Sequence, residues 1–81
     1  MTYSVFILRR AQKELAALSL DDYQRVKAAI LALETEARPG GCRKLVGREG
    51  WRIRVGDYRV IYEIDDAAKT VLIPHIGHRR D

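Results

Sequence analysis

A single cysteine, Cys42, is all the thiol this 81-residue chain contains, which excludes an intramolecular disulfide. It stands beside Gly40 and Gly41, without the Cys or His spacing of a metal motif, and reads as an inert thiol of a reducing compartment. Long apolar runs are also missing. The run at the N-terminus, Val5 to Leu8, is too short for a signal sequence or a membrane span, so no membrane partner and a soluble, cytoplasmic protein are expected. Repeats, low-complexity tracts and Ser/Pro-rich linkers are absent, which implies one domain over residues 1–81, near the size where a lone core becomes marginal. Acidic residues are the minority: 11 Asp and Glu against 15 Lys and Arg leave a net charge of +4. Residues 43–81 carry +3 of it, nine cations against six anions, and that imbalance favours an anionic partner.

The apolar pattern changes period along the chain. TYSVFIL has the β-branched and aromatic character of a first strand, expected to be buried on both faces. RRAQKELAAL reads as a helix with Ala11, Leu15 and Leu18 on one stripe. Ser19 is placed to cap a second helix, with Asp22 three residues on and Leu18 and Tyr23 as a staple across the cap. Tyr23, Val26, Ile30, Leu33 and Ala37 give that helix one buried face, and Pro39-Gly40-Gly41 is expected to stop it. After the basic connector CRKLVGREG the period becomes two, predicting strands at Trp51 to Val55, Tyr58 to Ile64 and Thr70 to Ile76. The order β-α-α-β-β-β predicts an α+β fold, a two-helix hairpin packed on a twisted, mainly antiparallel sheet.

Gly56-Asp57 fits a two-residue type II′ hairpin loop, which sets Val55 against Tyr58, Arg54 against Arg59, Ile53 against Val60 and Arg52 against Ile61. Trp51, Ile53, Val55, Tyr58, Val60, Tyr62 and Ile64 then share the core face. Arg52, Arg54 and Arg59 share the other. Facing like charges cost a sheet roughly 0.2–1 kcal/mol each, so three arginines there point to an oxyanion that guanidinium groups grip bidentately. The ending HIGHRRD places Arg79 and Arg80 within reach of that face, with His78 as an imidazole able to accept a proton. His75 alternates with Val71 and Ile73 and reads as a packed or hydrogen-bonded structural histidine. The two histidines form no metal motif, and no metal or cofactor is expected.

Lys44-Leu45 through Gly47, the run WRIRVGDYRVIY and the ending IGHR together resemble the RelE branch of the RelE/ParE toxin superfamily over nearly the whole chain. The resemblance implies a toxin of a type II toxin–antitoxin pair that cleaves messenger RNA in the ribosomal A site without metal. The substrate's 2′-hydroxyl attacks the adjacent phosphate, leaving a 2′,3′-cyclic phosphate and a 5′-hydroxyl. It assigns catalysis to Arg52, Arg54, Arg59 and Arg79, and its partners are the ribosome, mRNA and a cognate antitoxin; the further basic residues Arg43, Lys44, Arg48 and Arg80 are expected to bind RNA, and the basic face itself predicts an acidic or amphipathic antitoxin segment that covers it.

Two departures bear on the mechanism. Arg52 and Arg54 stand where the family's best-studied pattern has lysines, and guanidinium groups are poor proton carriers. A tyrosine expected shortly after Arg79 has no counterpart before Asp81, and Tyr58 and Tyr62 belong to the core face. Three expectations stay open: the chain is shortened, its activity is weakened, or His78 takes over part of the proton transfer. The alternatives to the nuclease are a ParE-like inhibitor of DNA gyrase and a ribosome- or RNA-binding homologue with weakened chemistry.

Overall fold

The computed structural model describes residues 2–80. Its elements are β1 (Ser4–Ile7), α1 (Arg9–Ala16), α2 (Leu20–Ala32), β2 (Arg43–Lys44), β3 (Trp51–Val55), β4 (Tyr58–Asp65) and β5 (Thr70–His78). They form an α+β fold in which one five-stranded sheet, ordered β1-β5-β4-β3-β2, carries both helices on one face. β1 runs parallel to β5, and every other pair is antiparallel. The basic connector contains the short edge strand β2, where the register sets Arg43 opposite Arg52 and Lys44 opposite Trp51.

Ser19 caps α2 as its position implies, its Oγ accepting the Asp22 N–H at 3.4 Å, while Asp21 and Asp22 place negative charge at the positive end of the helix dipole. The helix ends earlier than the Pro-Gly-Gly stop implies. After Ala32 the chain tightens into three-residue turns, and the Thr35 hydroxyl donates to the Ala32 carbonyl, giving that acceptor a partner outside the helical ladder. Leu33 and Ala37 still reach the core from this turn.

The core lies between sheet and helices: Ala11, Leu15, Val26, Ile30 and Leu33 meet Ile53, Val60, Tyr62, Val71, Ile73 and Ile76, with no buried charged group among the described residues. Tyr62 is fully buried yet satisfied, its hydroxyl donating to the Ala37 carbonyl at 2.9 Å, and this bond ties the α2–β2 connector to the sheet. A second tie is polar. Asp66 accepts two bonds from the Arg38 guanidinium, at 3.0 and 3.3 Å, and one from the Tyr3 hydroxyl at 2.6 Å. Those bonds, Arg38 first, hold its carboxyl down to about 2. Arg38 and Lys44 also flank the Trp51 ring, 5.1 and 5.5 Å from its centroid.

β1 departs from the expectation of burial on both faces: Phe6 is 51% exposed. The strand lies at the sheet edge, and among the described residues no layer covers the sheet's outer face, so only its alternate residues are covered.

One irregularity sets the geometry of everything downstream. Glu63 pairs with Leu72 and Ile61 with His75, so the single residue Tyr62 of β4 faces both Ile73 and Pro74 of β5. This is a β-bulge, and Pro74, which has no N–H to give to the ladder, sits in it. Because side chains alternate, one extra residue reverses the facing of all that follow. Val71 and Ile73 face the core before the bulge, and Ile76 and His78 face it afterwards, while His75 and Gly77 turn outward.

Candidate active site

The β3–β4 hairpin is built as its loop dictates. Gly56 has φ +60° and Asp57 stays out of the left-handed region, the combination of a type II′ turn, and the observed register matches the one that turn imposes. Arg54 therefore faces Arg59 across the hairpin on the outer face, and Arg52 lies beside Ile61. β2 adds a second facing pair, Arg43 with Arg52. Arg43, Arg52 and Arg54, with Gly41, line an open depression of about 530 Å³.

Two unit charges about 5 Å apart in water repel by about 0.8 kcal/mol. The sheet holds two such facing pairs, and among the described residues Arg52 and Arg54 form no ion pair that offsets the repulsion. Arg79 follows β5 at the hairpin end, where its N–H donates to the Asp57 carbonyl at 2.7 Å and its Nε lies 3.5 Å from the Asp57 carboxylate. Both side chains are at least half exposed, and exposed pairs of this kind contribute about 0–1 kcal/mol, little enough for a phosphate to displace the carboxylate.

The remaining candidates from the sequence do not all join this face. Lys44, opposite Trp51, lies on the helix side of the sheet over the indole. Arg48 is in the exposed loop between β2 and β3, and Arg80 is exposed in the turn after β5; neither forms an ion pair among the described residues. His78 is the clearest correction. The bulge turns it to the core face, where it pairs in register with Tyr58, the rings meeting edge to face with centroids 5.5 Å apart. Its Nδ1 accepts the Arg80 N–H at 3.2 Å. The expected proton carrier thus lies on the opposite side of the sheet from the arginines.

The same bulge delivers His75 to the arginine face, opposite Ile61 and two residues from Gly77, the register partner of Arg59. Its ring turns toward the edge of β5 beyond the end of β1, with Nδ1 2.9 and 3.0 Å from the two carboxylate oxygens of Glu14 on α1. Glu14 also accepts the Ile76 N–H at 3.0 Å, closing that edge, and lies 3.4 Å from Arg10. Partial burial pushes the Glu14 carboxyl up, but the bonds from Ile76 and His75 and the nearby Arg10 charge outweigh it and leave Glu14 below its ordinary value. Alternation from Val71 assigns His75 to the core; the signal against this is Pro74, which a regular inner strand excludes.

Comparison with known proteins agrees with this architecture. Residues 5–81 match the family model described as the ParE toxin of type II toxin–antitoxin systems, parDE. No curated protein matches significantly. The archaeal RelE–RelB complex from Pyrococcus horikoshii contains a chain 34% identical, with a TM-score of 0.87 over 98% of this chain and 97% of that one. The RelBE2 toxin–antitoxin complex from Mycobacterium tuberculosis is 27% identical, with a TM-score of 0.86 over 98% and 100%. The intact RelBE complex of Escherichia coli, 23% identical with a TM-score of 0.81 over 94% and 95%, shares the fold. On the family match over nearly its whole length and this shared architecture, the chain belongs to the RelE/ParE superfamily of toxins from type II toxin–antitoxin systems.

Proposed function

We propose that this toxin is a ribosome-dependent endoribonuclease that cleaves messenger RNA in the A site by attack of the 2′-hydroxyl on the adjacent phosphate. The observation that carries the reading is the set of guanidinium groups, Arg43, Arg52, Arg54 and Arg59, gathered on one open face with Arg79 at its rim. The attack builds negative charge on the non-bridging phosphate oxygens, and preorganised cations aimed at that charge are worth about 3 kcal/mol each. Arginine fits this task, since it stays charged and binds phosphate through two parallel N–H donors. Unbound, such a cluster repels itself; a covering antitoxin with an acidic or amphipathic segment offsets that repulsion. The relatives from Pyrococcus and Mycobacterium were solved in complex with antitoxins, which supports a cognate antitoxin here.

The second reading is a non-enzymatic gyrase inhibitor, favoured by the family model, which is that of the ParE toxin. The two separate cleanly. Purified toxin added to a translating extract is expected to produce message 5′ ends in codon register, and to leave gyrase supercoiling intact. Intact messages together with arrested supercoiling overturn the nuclease and establish the inhibitor. Intact messages with salt-sensitive ribosome binding identify a binding homologue that lacks the chemistry.

A further inference from the structure

We propose that His75, held by Glu14, is the proton acceptor on the arginine face, an assignment that rests on the nuclease reading and names the group that reading lacks. A guanidinium has no lone pair to offer at neutral pH, so the arginines stabilise charge but do not take the 2′-hydroxyl proton. The acceptor must come from elsewhere on the same face. Asp57 lies in the hairpin turn rather than on the strand face, and a carboxylate is a weaker acceptor than an imidazole near neutral pH. Glu63, two residues from the Ile61 that faces Arg52, is as near to that arginine as His75 is to Arg59, but it too is a carboxylate and the weaker acceptor; Asp65 lies farther along β4. His75 brings an imidazole to this face: one strand over from Arg59 and two residues along, its Cα is about 8 Å from that of Arg59 by strand spacing and rise.

Glu14 decides which ring nitrogen is available. Ionised and accepting, it keeps the hydrogen on Nδ1 and leaves Nε2 with its lone pair, as carboxylate–imidazole pairs do in general base catalysis. Arg10 and the Ile76 N–H hold the carboxylate in place. Glu14 is therefore a positioning residue. The step balances simply: the 2′-hydroxyl proton passes to Nε2 as the O2′–P bond forms, the P–O5′ bond breaks, and the departing 5′-oxygen takes a proton from water. The imidazolium then returns its proton to solvent. The charged groups on the packed elements that tune this exchange are Arg9, Arg10, Lys13 and Glu14 on α1 and Arg59, Glu63 and Asp65 on β4.

The test begins without catalysis. Imidazole nitrogen NMR of the full chain is expected to show His75 as the Nδ1–H tautomer; the Nε2–H form overturns the proposal. Addition of a trinucleotide RNA whose central residue is 2′-deoxy is expected to shift the Nε2 resonance of His75. Shifts at the arginines with a silent His75 overturn the proposal and leave the phosphate-binding face standing, whereas no binding at all removes both. In translating ribosomes, His75→Gln is expected to slow cleavage by about 10²–10⁴-fold and abolish the acidic limb of the pH–rate profile. Glu14→Gln is expected to lower kcat with KM little changed, and His78→Gln to keep the limb. Circular dichroism confirms that each variant folds. Cleavage by folded His75→Gln with the limb intact refutes the assignment.

Discussion

The arginine face makes a quantitative commitment about salt. Each cation that neutralises a phosphate of single-stranded RNA releases counterions and adds about 0.7 to the slope of log affinity against log salt. Arg43, Arg52, Arg54 and Arg59 line the face, while Arg79 is shared with Asp57. Four effective contacts predict a slope of about −2.8, which is roughly a 50-fold loss of affinity between about 50 and 200 mM salt; five predict about −3.5 and roughly 130-fold. Fluorescence anisotropy of a short labelled RNA across that salt range measures the slope directly. Arg54→Ala is expected to reduce its magnitude by about 0.7, and Asp57→Asn, by releasing Arg79, to raise it by a similar step. A slope shallower than about −1, or one that Arg54→Ala leaves unchanged, shows that the cluster does not act together on phosphate and refutes the reasoning.

The same geometry has consequences for stability. Arg54→Glu replaces a facing like-charge pair with an attractive one, so thermal denaturation should show a gain of about 0.2–1 kcal/mol while RNA affinity falls. The bulge returns Ile76, 3% exposed, to the core, so Ile76→Ala is expected to cost about 2–5 kcal/mol, measurable as a lower urea midpoint. Tyr62→Phe leaves the Ala37 carbonyl without its donor at a buried position, an expected loss of about 1–3 kcal/mol by chemical denaturation. Asp66 has a folded value of about 2 against an ordinary 3.8, so its contribution is present above about pH 4 and disappears as pH falls through about 2. Asp66→Asn should flatten the acid side of the stability profile over that window, and an unchanged profile would show that the Arg38 clasp adds nothing.

Much of this protein is legible along the chain because the governing signals are local. Ser19 with Asp22 marks the start of α2, the Gly56-Asp57 loop dictates the hairpin register, and period-two alternation in β3 and β4 separates Arg52, Arg54 and Arg59 from the core. Other features depend on what lies beside a segment. β1 has the composition of an inner strand, yet it sits at an edge because the parallel partner it meets, β5, is already paired on its other side with β4. β2 is two residues long and carries no alternation of its own; β3 makes it a strand and thereby adds Arg43 to the cationic face.

The sequence by itself determined the α+β order, the capped second helix and the arginine-bearing hairpin, since each follows from residues a few positions apart. Only the tertiary structure decided which histidine shares the arginine face. Strand facing propagates from residue to residue until pairing with a neighbour inserts an extra one, and the bulge of Ile73 and Pro74 against Tyr62 exchanges the sides of His75 and His78. Glu14, distant in the chain and brought alongside by the packing of α1 on β5, then fixes the ring that the bulge has turned outward.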